Sequence, residues 1–249
     1  MRLRTVARYS PQSIMLEYNI QGKGPVVIFL HGWGGNLESF GWVAKKVAEQ
    51  GHKTLNISFA GHGASAPPTG VWGIDEHCGQ LLDLMDNLGI ATATLVGHSF
   101  GGRAAIWMAA NRPERVDKIV LVNSAGIKPK LSLKKRFRIW RYKRLKARGK
   151  NVSKFGSNDY KYLDPNLRAA FVKIVNEDLT PLLPQIAAPA LLVWGTRDKD
   201  TPMYMAKKLL RGIKDSGLVK IEGAGHWSYT DDPNTFLSVL YNFLQVTTK

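Results

Sequence analysis

The sequence predicts an α/β fold with a mostly parallel central sheet and helices on both faces. Three observations predict it. Short apolar runs such as Val26–Leu30 alternate along the chain with segments of helical periodicity. The runs are too apolar for half-exposed strands, so they belong inside a covered sheet. A length of 249 residues suits one such domain with room for an insertion.

Taken in order, residues 26–30 read as a central strand and 40–50 as a helix stopped by Gly51. Residues 53–58 read as a strand, and the Gly/Pro-rich stretch 61–70 as a loop. Residues 75–88 read as a helix that Asp75 can cap. That helix holds Cys78, the single cysteine, so no internal disulfide can form, and a buried inert thiol is expected. A strand at 93–96, a helix through Asn111 and a strand at 118–123 follow. After 128–187 the alternation resumes with a strand at 190–194, a helix at 203–212 and a strand at 218–222. The last helix, 233–245, has Asp231 or Asp232 near its start. The expected division is a core of 1–127 and 188–249 and a helical cap at 128–187.

Chemistry concentrates at loops that follow strands. Gly97-His98-Ser99-Phe100-Gly101 is a G-x-S-x-G between the 93–96 strand and a helix. A serine on such a turn projects its hydroxyl from the sheet edge, above a helix N-terminus that favours negative charge. A serine nucleophile also needs a base, an acid to orient the base, and donors for an oxyanion. Of six histidines, five (His31, His52, His62, His77 and His98) precede Ser99 and only His226 follows it. His226 lies in Gly223-Ala224-Gly225-His226-Trp227, directly after a strand. In the chain order nucleophile, acid, base, the acid is Asp198 in Gly195-Thr196-Arg197-Asp198, also after a strand. Asp200 is the other candidate, otherwise read as a cap for the helix after Thr201-Pro202. The oxyanion donors are the backbone N–H groups of Phe100 and of Trp33 in His31-Gly32-Trp33-Gly34-Gly35.

The ordered set H-G-W-G-G, G-H-S-F-G-G, G-T-R-D and G-A-G-H-W resembles an α/β-hydrolase-fold serine hydrolase of the carboxylesterase and BioH-like kind. The resemblance runs from about residue 20 to 245 and weakens across 128–170. It implies Ser99 as nucleophile, Asp198 as acid, His226 as base and the Trp33 and Phe100 amides as oxyanion donors. It also implies an ester hydrolase that needs no cofactor. The relatives' loop D-x-x-G-x-G-x-S stands here as residues 58–65 without its aspartate, which leaves that loop's packing open. Serine at the elbow separates the chain from relatives on this fold that use aspartate there. Residues 175–179 also have a family-like look, with no catalytic role assigned. No metal-binding spacing and no dinucleotide fingerprint occur.

Apolar residues at the expected mouth (Trp33, Phe100, Trp227 and the cap residues Phe137 and Trp140) point to short- or medium-chain or aryl esters. C–C bond, lactone, thioester and amide hydrolysis and cofactor-free perhydrolysis use the same triad, and a non-catalytic lipid-binding scaffold is the reading of another class. No apolar run approaches the roughly 20 residues that span a bilayer, and the basic N-terminus lacks a following apolar stretch, so a cytoplasmic location is expected.

The formal charge of +16 is not spread evenly. Residues 128–150 hold twelve of the 35 Lys and Arg and none of the 19 Asp and Glu. Leu133, Phe137 and Trp140 recur there at helical spacing. Three readings stay open: a cap helix with solvated charges, weak salt-sensitive contact with an anionic membrane surface, or binding of nucleic acid or another polyanion. Nothing else in the chain resembles a nucleic-acid module, so no nucleic-acid partner is expected.

Overall fold

The structure, a computed structural model, describes residues 15–129, 133–149 and 165–245. Strands β1 (Tyr18–Gln21), β2 (Val26–Leu30), β3 (Lys53–Ile57), β4 (Ala93–His98), β5 (Val116–Val122), β6 (Ala190–Gly195) and β7 (Ser216–Ile221) form one sheet. Their order is β1-β3-β2-β4-β5-β6-β7. β1 pairs antiparallel with β3, and every other pairing is parallel. The C-terminal ends of β2, β4, β6 and β7 therefore face one way, and their loops share one edge.

The apolar strands are buried on both sides because alternate residues serve two cores. Ile28, Leu30, Leu95, Ile119, Leu121, Leu192 and Trp194 face one core. Helices α2 (Ile74–Asn87), α3 (Phe100–Asn111) and α6 (Met203–Gly212) close it. Val27, Phe29, Val96, Val120, Val122 and Val193 face the other. Helices α1 (Glu38–Glu49), α7 (Ser228–Asp231) and α8 (Pro233–Leu244) close that one. Between β5 and β6 lie α4 (Leu133–Ala147) and α5 (Pro165–Asn176).

Some helix ends differ from expectation. α2 starts at Ile74, one residue before the Asp75 expected to cap it; its N-cap is Gly73, whose N–H donates to Glu76 Oε2 at 2.6 Å. A carboxylate in the first turn thus reaches back and satisfies an orphan donor. At α8 the cap is Asp232, which accepts from the Thr235 N–H at 3.1 Å. Cys78 is fully buried, its Sγ 3.7 Å from the Ala104 carbonyl, and burial pushes its thiol up.

Candidate active site

Ser99 occupies the turn between β4 and α3 with φ +49° and ψ −105°. A non-glycine residue rarely adopts a positive φ, and it persists where the surroundings over-determine it. Three backbone bonds do so here: Ser99 N–H to Val122 O (3.1 Å), Ala125 N–H to Ser99 O (3.0 Å) and Gly101 N–H to His31 O (3.0 Å). A Cβ at Gly101 would run into the Leu30 carbonyl, and one at Gly97 into the Gly101 backbone. Only glycine lets β4, β2 and α3 converge this closely. Ser99 itself is partly exposed.

The 31–35 loop lies against this turn. A Cβ on Gly32 would sit 2.7 Å from His98 Nδ1 and 3.4 Å from Ser99 Cβ. His31 holds the loop in place. Its Nδ1 donates to the Gly32 carbonyl at 2.7 Å, so its Nε2 is free to accept from the Phe59 N–H at 3.0 Å. That tautomer requires a neutral ring, and burial pushes its pKa down to about 3. Among the described residues, neither the Trp33 nor the Phe100 N–H donates to a backbone carbonyl.

Asp198 follows β6 and His226 follows β7, and the two are bonded: Nδ1 lies 2.9 Å from Asp198 Oδ2. The same oxygen accepts from Asn123 Nδ2 at 2.6 Å and from Thr201 Oγ1 at 2.5 Å. The other oxygen accepts the Asp200 and Thr201 N–H groups at 2.8 and 3.0 Å. Burial alone would raise this carboxyl, but the bonds from His226, Thr201 and Asn123 outweigh it and hold the group well below its ordinary range. Because Asp198 is ionised, Nδ1 carries the proton of the neutral His226 ring, and Nε2 is the basic nitrogen.

His98 ties the histidine loop to the serine turn. Its Nε2 lies 2.9 Å from the His226 carbonyl, which can only accept, so Nε2 carries the proton. The buried ring packs 4.8 Å from the His226 ring and 4.5 Å from Trp227, and burial pushes its pKa down to about 3. The Asp198–His226 pair is thus joined directly, and His226 is joined to the serine turn through His98. Among the described residues the Ser99 hydroxyl makes no hydrogen bond, so its backbone alone aims it.

Asp198, Asp200 and His226 offer ligand atoms within 4.8 Å of one another. Both Asp198 oxygens and His226 Nδ1 are already engaged in the bonds above, so the cluster is organised as a hydrogen-bonded relay. Asp200 is exposed and is no helix cap, since the α6 N-cap is Pro202.

The aromatic residues divide. Trp227 is 44% exposed beside His226. The Trp33 ring meets Phe100, His62 and Phe171 at 5.2, 4.9 and 5.3 Å. For Phe137 and Trp140, expected to bind substrate, no contact with Ser99, His226 or Trp33 is seen among the described residues. Both are exposed, and among the described residues their ring contacts are with each other and with Arg144. Phe171 of α5 is the cap-region aromatic that lies against Trp33 of the 31–35 loop. Its signal was weak, an aromatic in an ordinary amphipathic helix.

Three supports went unread in the sequence. Asn123, at φ +42° just past β5, bridges Asp198 to the Gly225 carbonyl (3.2 Å) and accepts from Ser228 Oγ (2.5 Å). Arg103 donates to the Glu177 and Val175 carbonyls at the end of α5, at 2.9 and 3.5 Å. Glu17 ties down the 58–65 loop: its Oε2 accepts from Ser58 Oγ (2.7 Å) and the Ala64 N–H (2.9 Å). An asparagine ending an apolar strand was the one visible cue.

Comparison with known proteins agrees with this architecture. A family model described as alpha/beta hydrolase fold matches residues 25–171, and one described as TAP-like protein matches 173–247. A 2-hydroxy-6-oxo-6-phenylhexa-2,4-dienoate hydrolase of Comamonas testosteroni is 25% identical over 265 residues, covering 93% of this chain and 91% of that protein. The solved enol-lactonase from Burkholderia xenovorans LB400 superposes with a TM-score of 0.77 at 23% identity, over 94% of this chain and 98% of its own. An esterase from Exiguobacterium antarcticum gives 0.75 at 22% identity, over 93% and 96%. With the first model spanning more than half of its length, the chain belongs to the alpha/beta hydrolase fold family.

Proposed function

We propose that the protein is a serine hydrolase that cleaves carboxylic esters, with Ser99 as nucleophile, His226 as base and Asp198 as the acid that orients it. The observation that carries this reading is the Asp198–His226 pair, tethered through His98 to a serine held at positive φ at the head of a helix. Ser99 Oγ attacks the ester carbonyl and passes its proton to His226 Nε2, and Asp198 stabilises the imidazolium. The Trp33 and Phe100 N–H groups, with the α3 N-terminus behind them, hold the oxyanion. Collapse of the intermediate expels the alkoxide, which takes the proton from Nε2 and leaves an acyl-Ser99. Water, deprotonated by His226 Nε2, then attacks the acyl-enzyme; the bond to Ser99 Oγ breaks, Oγ takes the proton back from Nε2, and the acid leaves. Every proton transfer uses groups of the chain, and no cofactor enters the scheme.

Trp33, Phe171 and Trp227 surround the site with aromatic surface, which suits short or medium acyl chains or aryl esters. Residues 128–187 act as the cap, with α5 seated over the oxyanion loop through Phe171. Cleavage of C–C bonds or lactones by the same triad is the second reading, favoured by the dienoate hydrolase and enol-lactonase relatives.

A panel of p-nitrophenyl esters of graded chain length, run beside a dienoate C–C substrate and a lactone, tests both readings. Esters are expected to turn over fastest, and Ser99→Ala to lose at least about a thousandfold in kcat. Near wild-type turnover by folded Ser99→Ala ends the mechanism. Folded wild-type chain that a fluorophosphonate probe fails to label marks a non-catalytic scaffold.

A further inference from the structure

The proposed ester hydrolysis uses none of the twelve cations at 128–150, and α4 arranges those it carries in a particular way. Tyr142 and Leu145 are half-buried, while Phe137, Trp140, Arg141 and Arg144 are exposed. Residues 137, 140 and 144 are spaced by three and four, so they form one stripe along the helix. The Phe137 and Trp140 rings stack with centroids 5.5 Å apart and 30° between planes. The Arg144 guanidinium lies 5.2 Å from the Trp140 centroid. The rings are 62% and 51% exposed. Among the described residues no carboxylate pairs with Arg138, Arg141, Arg144 or Arg148.

A hydrophobic ring pair set among arginines that no described carboxylate engages matches a surface that offers hydrocarbon and negative charge within one side-chain length of each other. An anionic bilayer is such a surface: indole and phenyl rings enter the headgroup layer while arginines pair with phosphates. A single-stranded nucleic acid offers phosphates too, but it needs open ring faces for its bases, and the Trp140 ring already carries Phe137 and Arg144. We propose that α4 is a docking helix for an anionic lipid bilayer, with Phe137 and Trp140 in the headgroup layer and Arg138, Arg141, Arg144 and Arg148 on lipid phosphates.

The test is sedimentation of the full chain with vesicles of phosphatidylcholine alone, or with about one third phosphatidylglycerol. The chain is expected on the anionic vesicles only, and free inorganic phosphate does not displace it. Changing Arg138, Arg141, Arg144 and Arg148 together to Gln lowers the partition by about a hundredfold or more at low salt. Phe137→Ser with Trp140→Ser lowers it by about tenfold, and this loss persists at high salt, where the charge effect fades. Both variants are expected to melt as the wild type does, since the changed side chains are exposed. Equal partition of the wild type onto neutral and anionic vesicles overturns the proposal. So does wild-type partition by either folded variant, or tighter binding of the wild type to a single-stranded oligonucleotide than to the anionic vesicles.

Discussion

The Asn123 side-chain amide donates to Asp198 Oδ2 at 2.6 Å, on the same oxygen that receives the His226 ring nitrogen. Asn123 also holds the Gly225 carbonyl next to His226, so one amide sets both partners of the pair. Asn123→Gly tests this cleanly, because glycine accepts the φ of +42°. A hydrogen bond to a charged group is worth about 1.5–3 kcal/mol, so kcat is expected to fall by roughly ten- to a hundredfold. The Asp198 carboxyl, which loses one of the bonds that hold it low, rises at the same time. Unchanged kcat would show that Asn123 does not position the pair.

Two glycines on helices are expected to respond in opposite senses. Alanine at Gly101 must push the start of α3 away from the Leu30 carbonyl, which breaks the convergence that shapes the Ser99 turn. Gly101→Ala is therefore expected to destabilise by about 3 kcal/mol or more and to abolish activity. A Cβ on Gly79 in α2 meets nothing within 4 Å. Gly79→Ala is expected to stabilise by about 0.5–1 kcal/mol with no change in kcat. Urea denaturation of both variants checks the pair.

Arg103 is buried, and that burial brings its pKa down to about 10 against the pull of Glu177 and Asp178. Its guanidinium clasps two carbonyls at the C-terminal end of α5. Arg103→Met removes the donors and leaves those carbonyls without them, at a cost of about 1–3 kcal/mol. The expected signature is earlier proteolytic cleavage near residues 165–176 in the folded variant. A cleavage pattern and melting curve equal to the wild type would refute the clasp.

Acid should unfold this chain well before its carboxylates titrate. Burial pushes His31, His77 and His98 down to about 3 from 6.5. Above pH 6.5 these rings are neutral in both states and full stability holds. As pH falls toward 3, the unfolded chain takes up protons that the folded chain refuses, and stability drops. Asp198 adds to the loss at the low end. Its carboxyl sits well below 3.8 when folded, so its contribution is present above that value and fades as pH falls through it. Near pH 5 three extra protons on unfolding correspond to about 4 kcal/mol per pH unit. The urea midpoint measured from pH 7 to 4.5 reads this slope. His77→Phe, in a ring box of Phe59, Trp72 and Phe100, is expected to reduce it by about one proton.

The parallel sheet and the loops carrying Ser99, Asp198 and His226 were legible because each depends on local pattern: an apolar run, a glycine turn, then the candidate residue. β1 was not, since Tyr18–Gln21 is an edge strand with no buried residue and no apolar run to mark it. Asn123 was not, because its role follows from the β5–β6 register that sets it beside Asp198, and no spacing in the chain encodes that register. Helical periodicity put Leu133, Phe137 and Trp140 on one stripe, but periodicity cannot tell whether a stripe faces inward. Phe137 and Trp140 face out, and Phe171, thirty-odd residues later, faces Trp33. Charge near a stripe was the available hint, since twelve cations resist burial under a cap.

The strand order has a consequence for synthesis. Ser99 leaves the ribosome with its turn and its helix close behind, yet His226, its proposed base, follows β7, more than a hundred residues later in the chain. A growing polypeptide therefore holds a bare hydroxyl until β6 and β7 have joined the sheet. On the proposed mechanism, acyl transfer waits for the last strand, and the nascent chain stays unreactive toward the metabolites around it until folding is nearly finished.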